Sequence, residues 1–251
     1  MSMDRWIGKV AVVTGASVGI GKAIAEALVK NGVIVAGIAR RVHYVEEHAE
    51  ALKNERGKLH AFKCDLTKDQ EILATFKKIT DTLGPIHILI NNAGLALQTE
   101  LIGGDISKWK QIIDTNLFGV TVCTREAINS MIQSNIKGHI VNINSITGHM
   151  IFDIPGLSVY PATKYAITAL SECLRLEINR SKLPIKMTSL SPGYVKSDFF
   201  TNASLTEIKD FQVDRPGLET KDIADAVIYV LSTPEHVNIK ELTLTIQGFL
   251  H

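Results

Sequence analysis

The sequence contains few cysteines and no excess of charge of either sign. Only 3 of its 251 residues are cysteine (Cys64, Cys123 and Cys173), and the formal net charge is +1. Three scattered cysteines form neither a disulfide framework nor a metal-ligand spacing, so we predict a reducing compartment, the cytoplasm, and a buried apolar position for each. A nearly neutral chain gives no indication of nucleic acid or an anionic membrane as a partner, and we expect neither.

Long hydrophobic runs are also missing. Apolar stretches such as Val10–Val13 and Ile86–Ile90 are far shorter than the roughly 20 residues that a membrane span needs. We therefore predict no transmembrane segment, and the first residues show no secretory signal. With 45% hydrophobic residues the chain can bury one large core, which predicts a single domain over residues 1–251.

Strand and helix patterns alternate along the chain. Strands are predicted at residues 9–14, 33–39, 59–64, 86–91, 139–143, 185–190 and 241–246. Helices are predicted at residues 22–31, 42–56, 68–83, 106–134, 160–183 and 221–231. This alternation predicts an α/β, Rossmann-like doubly wound domain, a parallel sheet with helices on both faces. Residues 194–217 are poorly periodic and are the candidate lid. Ligands of such sheets bind beyond the carboxyl ends of the strands, where most of the unusual residues lie.

A glycine-rich turn joins the first strand to the first helix. Its glycines, Gly15, Gly19 and Gly21, permit positive φ and close approach of a ligand to the backbone. The following helix offers free N–H groups and a partial positive charge, so we predict a dinucleotide phosphate site. A turn with no ligand is the alternative. The intervening residues Ser17, Val18 and Ile20 would contact the same cofactor.

The end of the second strand carries two arginines. An acidic residue there commonly binds the ribose hydroxyl of NAD, but here Ala39 is followed by Arg40 and Arg41. Two guanidiniums could hold a 2′-phosphate, with help from the Ser17 hydroxyl, so NADP(H) is preferred and NAD(H) is less expected. The alternative is that both arginines are solvated surface.

Two further strand ends complete the predicted cofactor site. Asp65 could bond the adenine amino group while Leu66 lines the adenine pocket, or Asp65 could simply cap a helix. The stretch Asn92-Ala93-Gly94 suits close approach of backbone to the cofactor, with a plain turn as the alternative.

One helical pair suggests acid–base chemistry. Tyr160 and Lys164 are four residues apart, which places both side chains on one helix face. The lysine ammonium would stabilise phenolate and lower the tyrosine pKa toward working pH. A solvated helix surface is the alternative. Tyr165 points off this face.

Together the motifs resemble the short-chain dehydrogenase/reductase family. The resemblance covers about residues 9–246 and implies one Rossmann domain with a seven-stranded parallel sheet, an NAD(P)(H) cofactor, and a homodimer or homotetramer. The motifs, in family order, are Thr14-Gly15-x-x-x-Gly19-x-Gly21, Asn91-Asn92-Ala93-Gly94, Asn116, Ser145, Tyr160-x-x-x-Lys164 and Pro192-Gly193.

The resemblance also implies roles for these residues. Tyr160 would be the acid or base, and Lys164 would bind the nicotinamide ribose and lower the Tyr160 pKa. Ser145 would stabilise the substrate oxygen, and Asn116 would belong to a proton relay. The nicotinamide would be flanked by Pro192, Gly193, Val195 and Ser197.

The sequence departs from the family pattern at a few places. The interval from Ser145 to Tyr160 is longer than usual, and Asn144 stands where a second serine is common. Val18 is not basic, so the NADP preference depends on the two arginines. Stretches at 123–127, 161–170 and 226–234 resemble the subgroup called dehydrogenase/reductase member eleven, which includes insect farnesol (NADP) dehydrogenases and animal ketosteroid reductases.

The expected substrate pocket is apolar and suits a lipid-like alcohol or carbonyl compound. Its candidate residues are Leu95, Ala96, Leu97, Met150, Ile151, Phe152, Tyr194, Phe199 and Phe200, alongside Ser145 and Tyr160. Core packing or an oligomer contact is the alternative for several of them, and His149 is expected as an exposed loop histidine.

The sequence thus predicts an NADP(H)-dependent oxidoreductase that interconverts an apolar alcohol, such as farnesol, with its aldehyde or ketone. One alternative is a 3- or 17-ketosteroid or carbonyl reductase. From another class, the chain could be a non-catalytic NADP(H)-binding sensor. No metal site is expected.

Overall fold

A parallel sheet of seven strands organises the computed structural model, which describes residues 2–197, 199 and 216–248. The strand order is β3-β2-β1-β4-β5-β6-β7, and every neighbouring pair is parallel. This confirms the predicted α/β fold class. The strands are β1 Val10–Thr14, β2 Ile34–Ala39, β3 Lys58–Lys63, β4 Ile86–Asn91, β5 His139–Ile143, β6 Lys186–Pro192 and β7 Glu241–Leu244.

Helices cover both faces of the sheet and give it two cores. Alternate residues of β1 point to opposite faces, so Ala11 and Val13 lie in one core while Val10 and Val12 lie in the other. Helices α1, α2 and α7 pack on the first face, and α3, α5 and α6 on the second. The helices are α1 Gly19–Lys30, α2 Val42–Ala51, α3 Asp69–Leu83, α4 Ile106–Ile113, α5 Gly119–Gln133, α6 Val159–Arg180 and α7 Thr220–Ser232.

The long helix predicted at 106–134 is interrupted. A π-helical turn, Asp114–Phe118, separates α4 from α5. Within this turn Asn116 is 2% exposed, and its side chain pairs with the backbone of the segment after β4. Apolar periodicity continues through such a turn, so the sequence alone predicted one continuous helix.

Helix α2 ends earlier than predicted, at Ala51 instead of residue 56. Gly57 donates a backbone hydrogen bond to the Val29 carbonyl at 2.8 Å, and a Cβ there would lie 2.2 Å from the Val33 carbonyl oxygen. The chain must therefore turn tightly before β3, which the charged sequence of this segment did not reveal.

Two other expectations concern single side chains and the lid. Cys64 and Cys123 are buried, as predicted, but Cys173 is exposed, because it lies on the outer face of α6.

Most of the candidate lid, with Phe200, lies outside the described residues. Within the described ranges, no helix has the length and apolar character needed to cross a bilayer.

Candidate active site

A cleft of about 710 Å³ lies beyond the carboxyl ends of the strands. It brings together most of the residues that the sequence singled out, from β1, β2, β4, β5, β6 and α6. The predicted residues in its lining are Gly15, Ser17, Val18, Gly19, Ile20, Gly21, Arg40, Arg41, Asp65, Leu66, Asn92, Ala93, Gly94, Leu95, Ala96, Leu97, Ser145, Tyr160, Lys164, Pro192, Gly193, Val195, Ser197 and Phe199.

Four described residues predicted to contact the substrate do not line this cleft: Met150, Ile151, Phe152 and Tyr194. Tyr194 instead packs beside Gly217, where a Cβ would lie 2.8 Å from the tyrosine ring. Conversely, Gln111 and Thr115 line the cleft and were missed. The two residues are four apart and so share one helix face, but neither stands at a same-face spacing from Asn116, so that motif did not point to them.

The glycine turn forms a cradle that fits a diphosphate. Gly15 has φ of +69°, and a Cβ there would lie 2.9 Å from the Ala93 Cα. At Gly21 a Cβ would lie 2.3 Å from the Gly15 carbonyl oxygen. No side chain caps the N-terminus of α1 after Val18, so its first N–H groups are available to an anion.

The stretch after β4 is tied to β1 and is more than a plain turn. The Thr14 hydroxyl accepts hydrogen bonds from the backbone N–H groups of Asn92 and Ala93, both at 3.0 Å. The Asn92 side chain donates to the Thr14 carbonyl at 2.9 Å. These bonds hold Ala93 against Gly15 and form one wall of the cradle.

The predicted 2′-phosphate site is open and basic. Arg40 and Arg41 are exposed at the end of β2, and the Arg41 guanidinium lies 5.2 Å from the Tyr44 ring centroid. Ser17 is buried beside them, and its carbonyl lies 3.1 Å from the His48 Nε2. Two exposed guanidiniums at one edge of the cleft can both reach a single phosphate.

Asp65 is not a helix cap, since Lys68 precedes α3. Its carboxylate accepts hydrogen bonds from the Thr67 backbone at 3.1 Å and from the Thr67 hydroxyl at 2.9 Å. Burial raises the pKa of Asp65, but these bonds and the charge of Arg40 outweigh it and leave the pKa below its usual value. The ionised carboxylate therefore faces the cleft as an acceptor.

Tyr160 and Lys164 are buried in the cleft wall, with exposed fractions of 6% and 7%. The hydroxyls of Ser145 and Thr147 lie beside the Tyr160 phenol and act to lower its pKa. Ser145 Oγ accepts hydrogen bonds from the Thr147 backbone N–H at 3.1 Å and from the Thr147 hydroxyl at 2.9 Å. Thr147, which sequence reasoning missed, thus fixes the serine beside the phenol.

In this structure burial, and not Lys164, sets the direction of the Tyr160 pKa shift. Burial raises the pKa of Tyr160 to about 12, against the opposing hydrogen bonds with Ser145 and Thr147. Burial also lowers the pKa of Lys164 to about 8. The Lys164 ammonium lies 5.7 Å from the tyrosine ring centroid and donates its hydrogen bond to the Ile143 carbonyl at 2.9 Å. Desolvation therefore dominates both groups.

Asn116 clamps the backbone next to this pair. Its Oδ1 accepts a hydrogen bond from the Leu95 N–H at 2.8 Å, and its Nδ2 donates to the Leu95 carbonyl at 2.9 Å. The same Nδ2 donates to the Thr163 hydroxyl at 3.1 Å, which links the clamp to α6. A Cβ on Gly94 would lie 4.0 Å from the Lys164 ammonium, so the clamped loop adjoins the lysine.

The sequence suggested an exposed loop histidine at position 149, but His149 is partly buried. Its side chain is 24% exposed, and Nε2 lies 2.8 Å from the Ser191 hydroxyl and 3.4 Å from a Glu241 carboxylate oxygen. The short 3₁₀ turn Ile146–Gly148 directs it toward β6 and β7, away from the cleft.

Gly21→Ala is expected to weaken dinucleotide binding at least about tenfold, because the added methyl group would collide with the Gly15 carbonyl and deform the cradle. Fluorescence titration with NADPH measures this loss. Lys22→Ala, an exposed change on the same helix turn, is the matched control. Equal affinity of Gly21→Ala and the control would contradict the cradle.

Comparison with known proteins places this site in a family context. A family model described as short chain dehydrogenase matches residues 9–208. The chain is 43% identical to a farnesol dehydrogenase of Aedes aegypti, with 96% of this chain and 97% of the relative aligned. It is also 43% identical to the dehydrogenase/reductase SDR family member 11 of Gallus gallus, with 96% and 97% aligned.

The fold of this chain is also similar to that of a solved structure. An alcohol dehydrogenase from the archaeon Thermococcus sibiricus, complexed with 5-hydroxy-NADP, superposes with a TM-score of 0.82. The two sequences are 29% identical, and the superposition covers 94% of this chain and 95% of that one.

Proposed function

The chain belongs to the short-chain dehydrogenase/reductase family and is an oxidoreductase, and from this premise we propose that it is an NADP(H)-dependent enzyme interconverting an apolar alcohol with its aldehyde or ketone. The observation that carries the proposal is the buried phenol of Tyr160, beside Ser145 and four residues from Lys164, in the wall of a cleft that also contains the glycine cradle.

Tyr160 is the proposed proton donor to a carbonyl oxygen. With its pKa raised to about 12, the phenol keeps its proton at neutral pH, which is the starting state for reduction. Ser145, held by Thr147, is placed to hydrogen bond the same substrate oxygen and to stabilise charge that develops there. A nicotinamide dinucleotide, when bound, supplies or accepts the hydride.

Lys164 and Asn116 are the proposed supporting groups. Lys164 is protonated below pH of about 8, so near neutral pH it presents an ammonium to the cofactor ribose and to Tyr160. Alcohol oxidation requires Tyr160 to accept a proton, and a nearby ammonium favours the phenolate that precedes this step. Asn116 holds the Leu95 backbone beside this ammonium, at the end of the proposed proton relay.

NADP(H) is the proposed cofactor because two cations, Arg40 and Arg41, stand at the end of β2 where NAD-binding folds carry an acid. The archaeal alcohol dehydrogenase bound an NADP derivative, which supports the same choice. The homo-oligomer expected from the family remains part of the proposal.

Arg40→Ala combined with Arg41→Ala is expected to weaken NADPH binding by about ten- to a hundredfold, because each of the two contacts to the phosphate contributes on the order of 1 kcal/mol at this exposed edge. NADH binding should stay within about threefold, since it has no 2′-phosphate. Titration of both cofactors measures the difference. Lys53→Ala with Arg56→Ala removes the same charge from an exposed segment and is the control. Equal losses for both cofactors would refute the phosphate clamp.

The proposed substrate is a prenyl or terpenoid alcohol such as farnesol. Leu95, Ala96, Leu97 and Phe199 give the cleft an apolar wall next to Tyr160, whose ring centroid lies 5.6 Å from that of Phe199. The mosquito relative is named for farnesol, which supports this choice over a steroid.

A substrate panel tests the proposal. Farnesol with NADP⁺ is expected to give at least about tenfold higher kcat/KM than a 3- or 17-hydroxysteroid, a difference of about 1.4 kcal/mol in transition-state binding. The reverse ranking would favour a ketosteroid reductase. Binding of NADPH with no turnover on either class would favour a non-catalytic sensor.

A further inference from the structure

A second cavity, of about 530 Å³, lies at the opposite end of the sheet from the cleft. It opens beside the amino ends of β4, β5 and β6 and beneath the short 3₁₀ turn Asp4–Trp6. Five cationic side chains line it, Arg5, Lys9, Lys137, Arg175 and Lys186, with Glu235 as the carboxylate in the described lining. Because the whole chain carries a net charge of only +1, this concentration of cations is a local feature.

Part of this charge already has protein partners. Lys137 pairs with Glu235 at 2.8 Å, and Arg175 makes a two-point contact with Glu172. The Arg5 guanidinium donates to the Leu231 carbonyl at 2.5 Å, and Lys186 donates to the Pro234 carbonyl at 2.6 Å. These last bonds satisfy carbonyls at the C-terminal end of α7, which is the structural role of the two cations.

Some buried nitrogen atoms near the cavity have no hydrogen-bond partner among the described residues. Arg5 Nε is buried and has no hydrogen-bond partner in the described part of the chain, and the same holds for Nδ1 of His87, which also lines the cavity. Lys9 forms no ion pair among the described residues and is exposed at the rim. The described lining thus carries more positive charge than Glu235 neutralises, and such a concentration of charge attracts an anion.

We propose that this cavity is a second ligand site, which binds a small multivalent anion of the phosphate-ester class. A phosphate offers several acceptor oxygens to donors that converge from different segments. Arg5 and Lys186 would contact it from one wall, where the Lys186 ammonium would exchange its 3.4 Å bond to the Thr233 carbonyl for a bond to the phosphate. The apolar lining, Leu183, Pro184 and Ile185, would contact the organic part of such a ligand.

Electrostatics of the cavity give the site a measurable signature. Burial, and then the neighbouring Arg5, lower the pKa of Lys186 to about 8, while Glu235 opposes the shift. His139, buried beneath both cations, has its pKa lowered to about 3 and stays neutral. Burial lowers the pKa of Arg5 and of His87. A bound anion favours the protonated amine and raises the Lys186 pKa, so binding at pH 8.5 takes up a proton and binding at pH 6.5 does not.

Calorimetric titration of the full chain with inorganic pyrophosphate tests the site. Saturable binding is expected, and in two buffers of different ionisation enthalpy the heats should reveal proton uptake at pH 8.5. Lys186→Arg should bind within about threefold of the parent but take up no proton, because arginine stays charged. Lys186→Met should bind at least about tenfold more weakly, as expected for one lost charge-assisted bond.

Two further variants keep the test decisive. Gly21→Ala deforms the diphosphate cradle of the dinucleotide cleft, where pyrophosphate could also bind, and should leave the second site intact. Lys137→Met changes an exposed rim residue that the fold does not need, and it should weaken binding about threefold in a salt-dependent manner. No saturable binding, unchanged affinity in both Lys186→Met and Lys137→Met, or loss confined to the Gly21→Ala variant would overturn the proposal.

Discussion

Tyr160→Phe is expected to lower kcat by about a thousandfold, because it removes the only hydroxyl that the proposed mechanism uses for proton transfer. The phenol is 6% exposed and lies among packed side chains, so loss of one oxygen atom preserves the packing. Binding of NADPH should change less than about threefold, since the ring itself remains. Steady-state kinetics and cofactor titration measure the two effects separately.

Tyr165→Phe is the matched control for this experiment. Tyr165 lies on the same helix but is 41% exposed, and the same atom is deleted. We expect full activity in the control. Comparable rates for Tyr160→Phe and Tyr165→Phe would rule out the phenol as the acid, whereas parent activity too low to measure on every alcohol and carbonyl tested would favour the sensor hypothesis.

Lys164→Met is expected to produce an inactive protein that is more stable than the parent at pH 7. The pKa of Lys164 is lowered from 10.5 to about 8, so the charged form costs about 3 kcal/mol in the folded state. Loss of the hydrogen bond to Ile143 offsets about 1 kcal/mol of that gain. Urea unfolding should therefore show a net increase of about 2 kcal/mol.

The pH dependence identifies the cause of this gain. Between pH of about 8 and 10.5 the unfolded lysine holds its proton while the folded lysine has lost it, so the parent becomes relatively more stable as pH rises. The advantage of Lys164→Met should therefore be complete below pH 8 and should turn into a deficit of about 1 kcal/mol by about pH 10.5, because only the lost hydrogen bond then remains. Lys196→Met, at a half-exposed lysine, should show no such trend. A gain independent of pH would assign the effect to packing instead of charge.

Most of the fold could be predicted from the sequence, because the same strand and helix patterns alternate along the chain. Each strand is a short buried run bounded by a turn, and β4 and β5 begin and end where the pattern predicted. Right-handed crossovers then leave one topology, in which the carboxyl ends of the strands lie together. For this reason the sequence alone assigns Gly15, Arg40 and Asn92 to one cleft.

Features that depend on three-dimensional burial were not accessible in the same way. The shift of the Tyr160 pKa follows from desolvation, which a spacing of four residues does not encode. Met150 and Phe152 adjoin Ser145 in sequence, but the turn at Ile146–Gly148 places them outside the cleft lining. The cationic cavity draws Arg5, Arg175 and Lys186 from distant segments, and no local motif links them.

The π turn at Asp114–Phe118 has a consequence for the length of the chain. Such a turn holds one more residue than the α-helical turn it replaces, so it is equivalent to a single-residue insertion within a helix. Deleting one residue there would restore regular winding and rotate everything on one side by about 100°. Either Asn116 would leave Leu95, or the buried face of α5, with Val122 and Ala127, would turn toward water. Substitutions in this segment at positions other than Asn116 are therefore expected to be better tolerated than a deletion, which makes its length a strict requirement.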